Sequence, residues 1–144
     1  MSPGTVAIAA DHAGFELKSV LADVLAEMGY SVIDLGTDGA EAVDYPDYAT
    51  AVVDALGDGR AAQGVLLCGT GIGMSIAANR HAGIRAALCH DPEDAELARR
   101  HTDANVLVMG ARRIDEQEAK RCVRVFFKTE FEAGRHARRV AKLA

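Results

Sequence analysis

The residues best placed for chemistry lie in Cys68-Gly69-Thr70-Gly71-Ile72-Gly73. The apolar run Val65-Leu66-Leu67 leads into three glycines at alternate positions, and the amphipathic segment Ser75-Ile76-Ala77-Ala78-Asn79 follows. A buried strand that ends in a glycine turn and feeds a helix gathers backbone N–H groups at a helix N-terminus. Such a cradle binds anions and stabilises negative charge that develops during a reaction. Cys68 stands at the strand end, where amides and the helix dipole favour a thiolate, a usable base or nucleophile. Its plainer reading is a small buried hydrophobe. Thr70 holds a hydroxyl between two glycines, for chemistry or for ordinary turn hydrogen bonding. The turn is not a Walker A loop, because no Gly-Lys-Ser/Thr follows. Nor is it the dinucleotide fingerprint, which wants GxGxxG where this chain has GxGxG. Asp91, near where a ribose-binding acid would stand, keeps nucleotide binding open as a competing reading.

Other candidate groups are scattered along the chain. Asp11-His12 follows an apolar run and could bind sugar hydroxyls or phosphate, or simply cap the next helix. His101 falls in Arg99-Arg100-His101-Thr102-Asp103, where cations also compensate a helix C-terminus. Arg135, Arg138, Arg139 and Lys142 recur at three- and four-residue spacing and form one basic stripe. Guanidinium forks match phosphate oxygens, and the alternative is a solvated helix face. Tyr45, in Asp44-Tyr45-Pro46-Asp47-Tyr48, is read as part of a loop that packs over a ligand or anchors itself.

The elements that must position these groups follow from apolar patterning. Thr5–Ala10, Ser31–Leu35, Gly64–Leu67, Gly83–Cys89 and Asn105–Met109 read as buried strands. Leu17, Val20, Leu21, Val24, Leu25 and Met28 mark a helix, with Lys18, Asp23 and Glu27 on its polar face and Gly29 at its end. Asp47 is the expected cap of a helix running to about Leu56, and Asp91-Pro92 opens another that ends near His101. Asp115 and Glu118 resemble a capping box, before a helix with Ala119, Cys122, Val123 and Phe126 on one face. A last helix runs from about Phe131 or Ala133 to the C-terminus. Strand and helix alternation predicts an α/β fold, a Rossmann-like three-layer sandwich around a five-stranded parallel sheet, in one domain over 1–144. Ligands of such sheets sit beyond the carboxyl ends of the strands, where Asp11-His12 and Cys68 to Gly73 fall.

A net charge of −5 argues against general nucleic-acid binding. No apolar run is long enough to span a membrane, and no signal peptide is evident. Three cysteines with no CxxC pair make zinc or a disulfide framework an unattractive reading. Cys89 and Cys122 read as core, and a free thiol at Cys68 suits the cytoplasm. No metal, cofactor or serine-triad pattern is evident. What remains is a small phosphorylated metabolite at strand tips and a proton transfer next to a carbonyl.

Ala10-Asp11-His12-Ala13-Gly14, Asp44-Tyr45-Pro46, Cys68 to Gly73, Ile76-Ala77-Ala78-Asn79, Gly83-Ile84-Arg85-Ala86 and Gly134-Arg135-His136 together resemble the type B ribose-5-phosphate isomerases. The wider group includes the galactose-6-phosphate isomerase subunits. The resemblance implies a cofactor-free aldose–ketose isomerase. In it Cys68 is the base for an enediolate, Thr70 assists proton movement on the sugar oxygens, and Gly69, Gly71 and Gly73 frame the anion hole. His101 is implied to open the furanose ring, with Asp11 binding nearby. His12, Arg112, Arg135 and Arg139 match phosphate-binding positions. The resemblance also implies a homodimer, or a dimer of dimers, with the site between subunits. Family members commonly carry asparagine where this chain has Thr102, so a six-carbon sugar phosphate such as allose or galactose 6-phosphate stands as the alternative substrate.

Overall fold

Strands that are apolar at every position need cover on both faces, and helices supply it here. The computed structural model describes residues 3–143. Among them, β1 (Thr5–Ala10), β2 (Ser31–Asp34), β3 (Gln63–Cys68), β4 (Ala86–Leu88) and β5 (Val106–Gly110) form one parallel sheet in the order β2-β1-β3-β5-β4. The helices are α1 (Phe15–Glu27), α2 (Tyr45–Gly57), α3 (Ile72–Asn79), α4 (Pro92–Thr102), α5 (Glu116–Lys128) and α6 (Arg135–Ala141).

Alternation along each strand sorts the core into two layers. Val6, Ile8, Val65, Leu67, Leu107 and Met109 pack against α1, α4 and α5. Ala7, Ala9, Leu66, Cys68, Val106 and Val108 point the other way, against α2 and α3. The chain steps outward from β1 to β2 and then crosses back to β3, so the carboxyl ends of β1 and β3 flank a switch point.

Local chemistry fixes the helix ends. The Asp91 carboxylate accepts from Asp94 N–H at 2.8 Å, and Asp115 accepts from Glu118 N–H at 2.8 Å. Gly29, at φ +97°, turns the chain out of α1.

Several expectations shift. Tyr45 is the first residue of α2 rather than part of a loop, because Pro46 sits in the first turn and Asp44, not Asp47, is the cap residue. α3 begins at Ile72 rather than Ser75, because left-handed Gly71 (φ +80°) starts it directly from the turn. β4 is shorter than expected: Arg85 N–H bonds the Asn105 side chain at 2.8 Å instead of extending the ladder. Lys18, assigned to the polar face of α1, is buried, with Nζ 2.6 Å from Asp34 at the end of β2. α6 starts at Arg135, and Ala144, to which the last helix was expected to run, lies outside the described residues. Among the described residues, no helix is long and apolar enough to cross a membrane.

Candidate active site

Cys68 ends β3 in register with Gly110 of β5, and it is buried. Its Sγ accepts a hydrogen bond from Gly71 N–H at 3.2 Å. The turn can close this tightly because of its glycines. A side chain at Gly71 would strike Leu88 and stand 3.1 Å from Gly110 N, and a methyl at Gly73 would lie 2.6 Å from the Tyr45 ring. The turn after β5 clasps the glycine loop: Ala111 N–H donates to Cys68 O at 2.8 Å and Arg112 N–H to Gly69 O at 3.0 Å. The Arg112 guanidinium passes so near Gly69 that a Cβ there would be 3.1 Å from Nη1. Thr70 Oγ1 accepts from Ile72 N–H at 3.2 Å, which is turn chemistry and leaves its hydroxyl proton free for a ligand.

Asp11, beyond the end of β1, is buried and accepts from Ala13 N–H at 3.0 Å and Gly14 N–H at 3.3 Å. His12 Nδ1 accepts from Val43 N–H at 3.2 Å, so its Nε2 carries the proton whenever the ring is neutral. Val43 also lines a cavity of about 740 Å³ formed with residues 34–41 and Tyr48. Thus Asp11, His12, Tyr45, Cys68, Gly69, Thr70, Gly71, Gly73 and Arg112 gather at the carboxyl edge of the sheet.

The other candidates do not join them within one chain. α4 runs antiparallel to the strands, so His101 and Thr102 in its last turn lie at the amino edge, just before β5. β3 has six residues, and at ~3.3 Å per residue the two edges are separated by ~20 Å. α6 packs on α4, which puts Arg135 and Arg139 on that same edge with exposed side chains. Thr102 spends its hydroxyl on Ala98 O at 2.6 Å. Asp91, the candidate ribose acid, is occupied as the cap of α4.

Two of the three cysteines are excluded from thiolate chemistry. Burial, with the charges of Cys122, Asp94 and Asp91, pushes Cys89 up to about 12; burial, with Glu118, Asp91 and Asp94, pushes Cys122 up to about 12. One cluster escaped the sequence reading. His136 is buried and stacks on His101 with ring centroids 4.3 Å apart and planes at 13°. Glu132 lies against both, all three donor atoms falling within 4.8 Å of one another. The spacing of Glu132 and His136, four residues apart beside a basic stripe, was the available signal. It stayed hidden because Glu132 precedes the helix that carries His136.

Comparison with known proteins gives the family. The model of the Ribose/Galactose Isomerase family matches residues 6–143. The chain is 46% identical over 135 residues to ribose-5-phosphate isomerase B of Escherichia coli, covering 94% of this chain and 91% of the relative. It is 43% identical to D-erythrulose-4-phosphate isomerase of Pectobacterium atrosepticum, over 96% of this chain and 92% of the relative. The crystal structure of a ribose 5-phosphate isomerase from Thermotoga maritima superposes with a TM-score of 0.94 at 52% identity, over 96% of each chain. A glycine turn with a buried cysteine at the carboxyl edge of a doubly wound sheet, in a chain matched end to end by sugar-phosphate isomerases, places this protein in the ribose/galactose isomerase family of aldose–ketose isomerases.

Proposed function

We propose that the enzyme interconverts ribose 5-phosphate and ribulose 5-phosphate, a step of the pentose phosphate pathway carried out in the cytoplasm, with Cys68 as the base. The observation that carries this reading is the Cys68 sulfur at the mouth of the glycine turn, held by Gly71 N–H at 3.2 Å. With the sugar ring opened, a thiolate there removes the proton from C2. The electron pair moves into a C1–C2 double bond, and the aldehyde oxygen takes up the negative charge. The N–H groups of residues 69–73 meet the enediolate oxygens. Thr70 shuttles a proton between those oxygens, and return of the carbon-bound proton to C1 leaves a ketone at C2.

Ring opening falls to His101 and phosphate binding to Arg112, Arg135, Arg139 and His12. Three of these five groups, His101, Arg135 and Arg139, lie at the far edge of the sheet from Cys68, so the reading requires a second copy of the chain that brings its amino edge over the first copy's carboxyl edge. Ile72 and Ile76, successive on one face of α3 and more than half exposed beside the catalytic turn, fit burial in such a homodimer. A dimer of dimers keeps the same composite site.

The substrate is tested by kcat/KM across four-, five- and six-carbon aldose phosphates. Ribose 5-phosphate should exceed the others by about tenfold or more, since one added or missing hydroxymethylene group changes both fit and hydrogen bonding. A four- or six-carbon phosphate at the head of that panel would overturn the ribose assignment while leaving the chemistry in place.

A further inference from the structure

His101 is the ring-opening group of the proposed mechanism, and something must hold its imidazole at the end of α4. We infer that His136 is the positioning residue that does so, a flat uncharged ring stacked face to face on His101; this rests on the reading of His101 given above.

The contact is built rather than incidental. His136 belongs to α6, where Arg135, Arg138 and Arg139 are exposed, whereas His136 turns inward at 7% exposure. The backbone is bent to achieve this: Ala133 and Gly134 both take positive φ, +58° and +54°, and His136 N–H closes the bend on Ala133 O at 3.0 Å. A non-glycine residue persists in that region only where its surroundings hold it there. Glu132 N–H donates to Arg100 O at 3.1 Å, which pins the bend to the turn of α4 that carries His101.

The ring's chemistry fits the role. Its Nε2 is buried without a hydrogen-bond partner, and the nearest carboxylate oxygen, of Glu132, is 3.8 Å away, beyond hydrogen-bond range. Burial pushes the ring below the usual histidine range; His101, Arg135 and Arg139 push the same way, and Glu132 opposes them. A neutral neighbour lets His101 take up and release a proton without facing a second charge across the stack. A simple core residue would be an aliphatic one, with no nitrogen left unpaired.

The same three side chains resemble a metal-ligand set, but the arrangement opposes it. Rings 13° from parallel direct their lone pairs along nearly parallel lines instead of onto one point, and Arg100, Arg135 and Arg139 surround the cluster with positive charge.

The test compares His136→Phe and His136→Ala with a His101→Ala control in the full-length enzyme. The phenylalanine variant keeps a flat ring against His101 and should hold kcat within about threefold, whereas alanine should lower kcat about tenfold or more with KM changed less than threefold. Full kcat in a folded His136→Ala enzyme overturns the proposal, as does a raised KM at unchanged kcat, which would mark a substrate-binding group. Full activity in His101→Ala overturns the ring-opening assignment itself and the proposal with it. Nitrogen-15 imidazole spectra of the unaltered enzyme give a reading that needs no His136 variant. His136 should stay neutral throughout the neutral range and titrate higher once His101 is replaced by alanine, whereas a His136 that titrates like a solvent-exposed ring overturns the proposal.

Discussion

The Cys68 sulfur accepts from Gly71 N–H, while Cys89 and Cys122 sit in apolar surroundings that hold them as thiols, near 12. The three sulfurs thus have two kinds of setting, one accepting a backbone N–H at a strand tip and two held in the core, and the proposal gives the base to the first. Where each cysteine sits was legible from sequence: the core cysteines fall beside an apolar strand and on an apolar helix face, Cys68 at a strand tip. Cys68→Ala tests the assignment of the base. Hydrogen exchange at C2 with solvent deuterium should fall by about a thousandfold or more, because a base acts only in the transition state, while affinity for a sugar phosphate stays within about threefold. Persistent exchange in that variant would transfer the role to another group.

At the scale of elements, the site depends on how closely the β5 end approaches the glycine turn. A methyl group at Gly110 would stand 2.5 Å from Thr70 O, against backbone that cannot swing aside. Gly110→Ala should therefore force β5 and the turn apart, at a cost of about 1–3 kcal/mol. Activity should fall with it, as Gly71 N–H moves away from the sulfur. Gly39→Ala, where an added methyl meets nothing within 4 Å, is the matched control. Thermal unfolding and kcat measured on both variants decide it; equal behaviour would mean that the turn tolerates the displacement. Strands and helices were readable because a fully apolar run and a 3.6-residue stripe are local signals, and the Asp91 and Asp115 caps were readable for the same reason. Lys18 was not: its partner Asp34 lies sixteen residues on, at the end of a neighbouring strand, and only the assembled sheet brings them to 2.6 Å. The early start of α3 was hidden too, since a left-handed glycine as cap looks in sequence like any turn glycine.

For the whole molecule, candidate residues could be named from sequence, but the spacing of residues along the chain did not show which edge of the sheet each one occupies. Sequence places Cys68 and His101 thirty-three positions apart and is silent on distance. The direction of α4 against the strands puts them at opposite edges, ~20 Å apart by strand length. On the proposed reading, one chain holds two half-sites, and a pair of chains related by a two-fold axis would join each carboxyl half to the partner's amino half. Subunit mixing reads this directly. Cys68→Ala and His101→Ala homodimers should each be inactive. After dissociation and reassociation, a hybrid dimer has one site carrying both lesions and one carrying neither. Random pairing makes half of all dimers hybrid, each with one of two sites restored, so activity should recover to about a quarter of the unaltered enzyme's. A site contained within single chains predicts no recovery at all, because every chain in the mixture carries a lesion in its own site. The amount regained thus reports on where the second half of the site comes from, and it does so without reference to which sugar phosphate is the substrate.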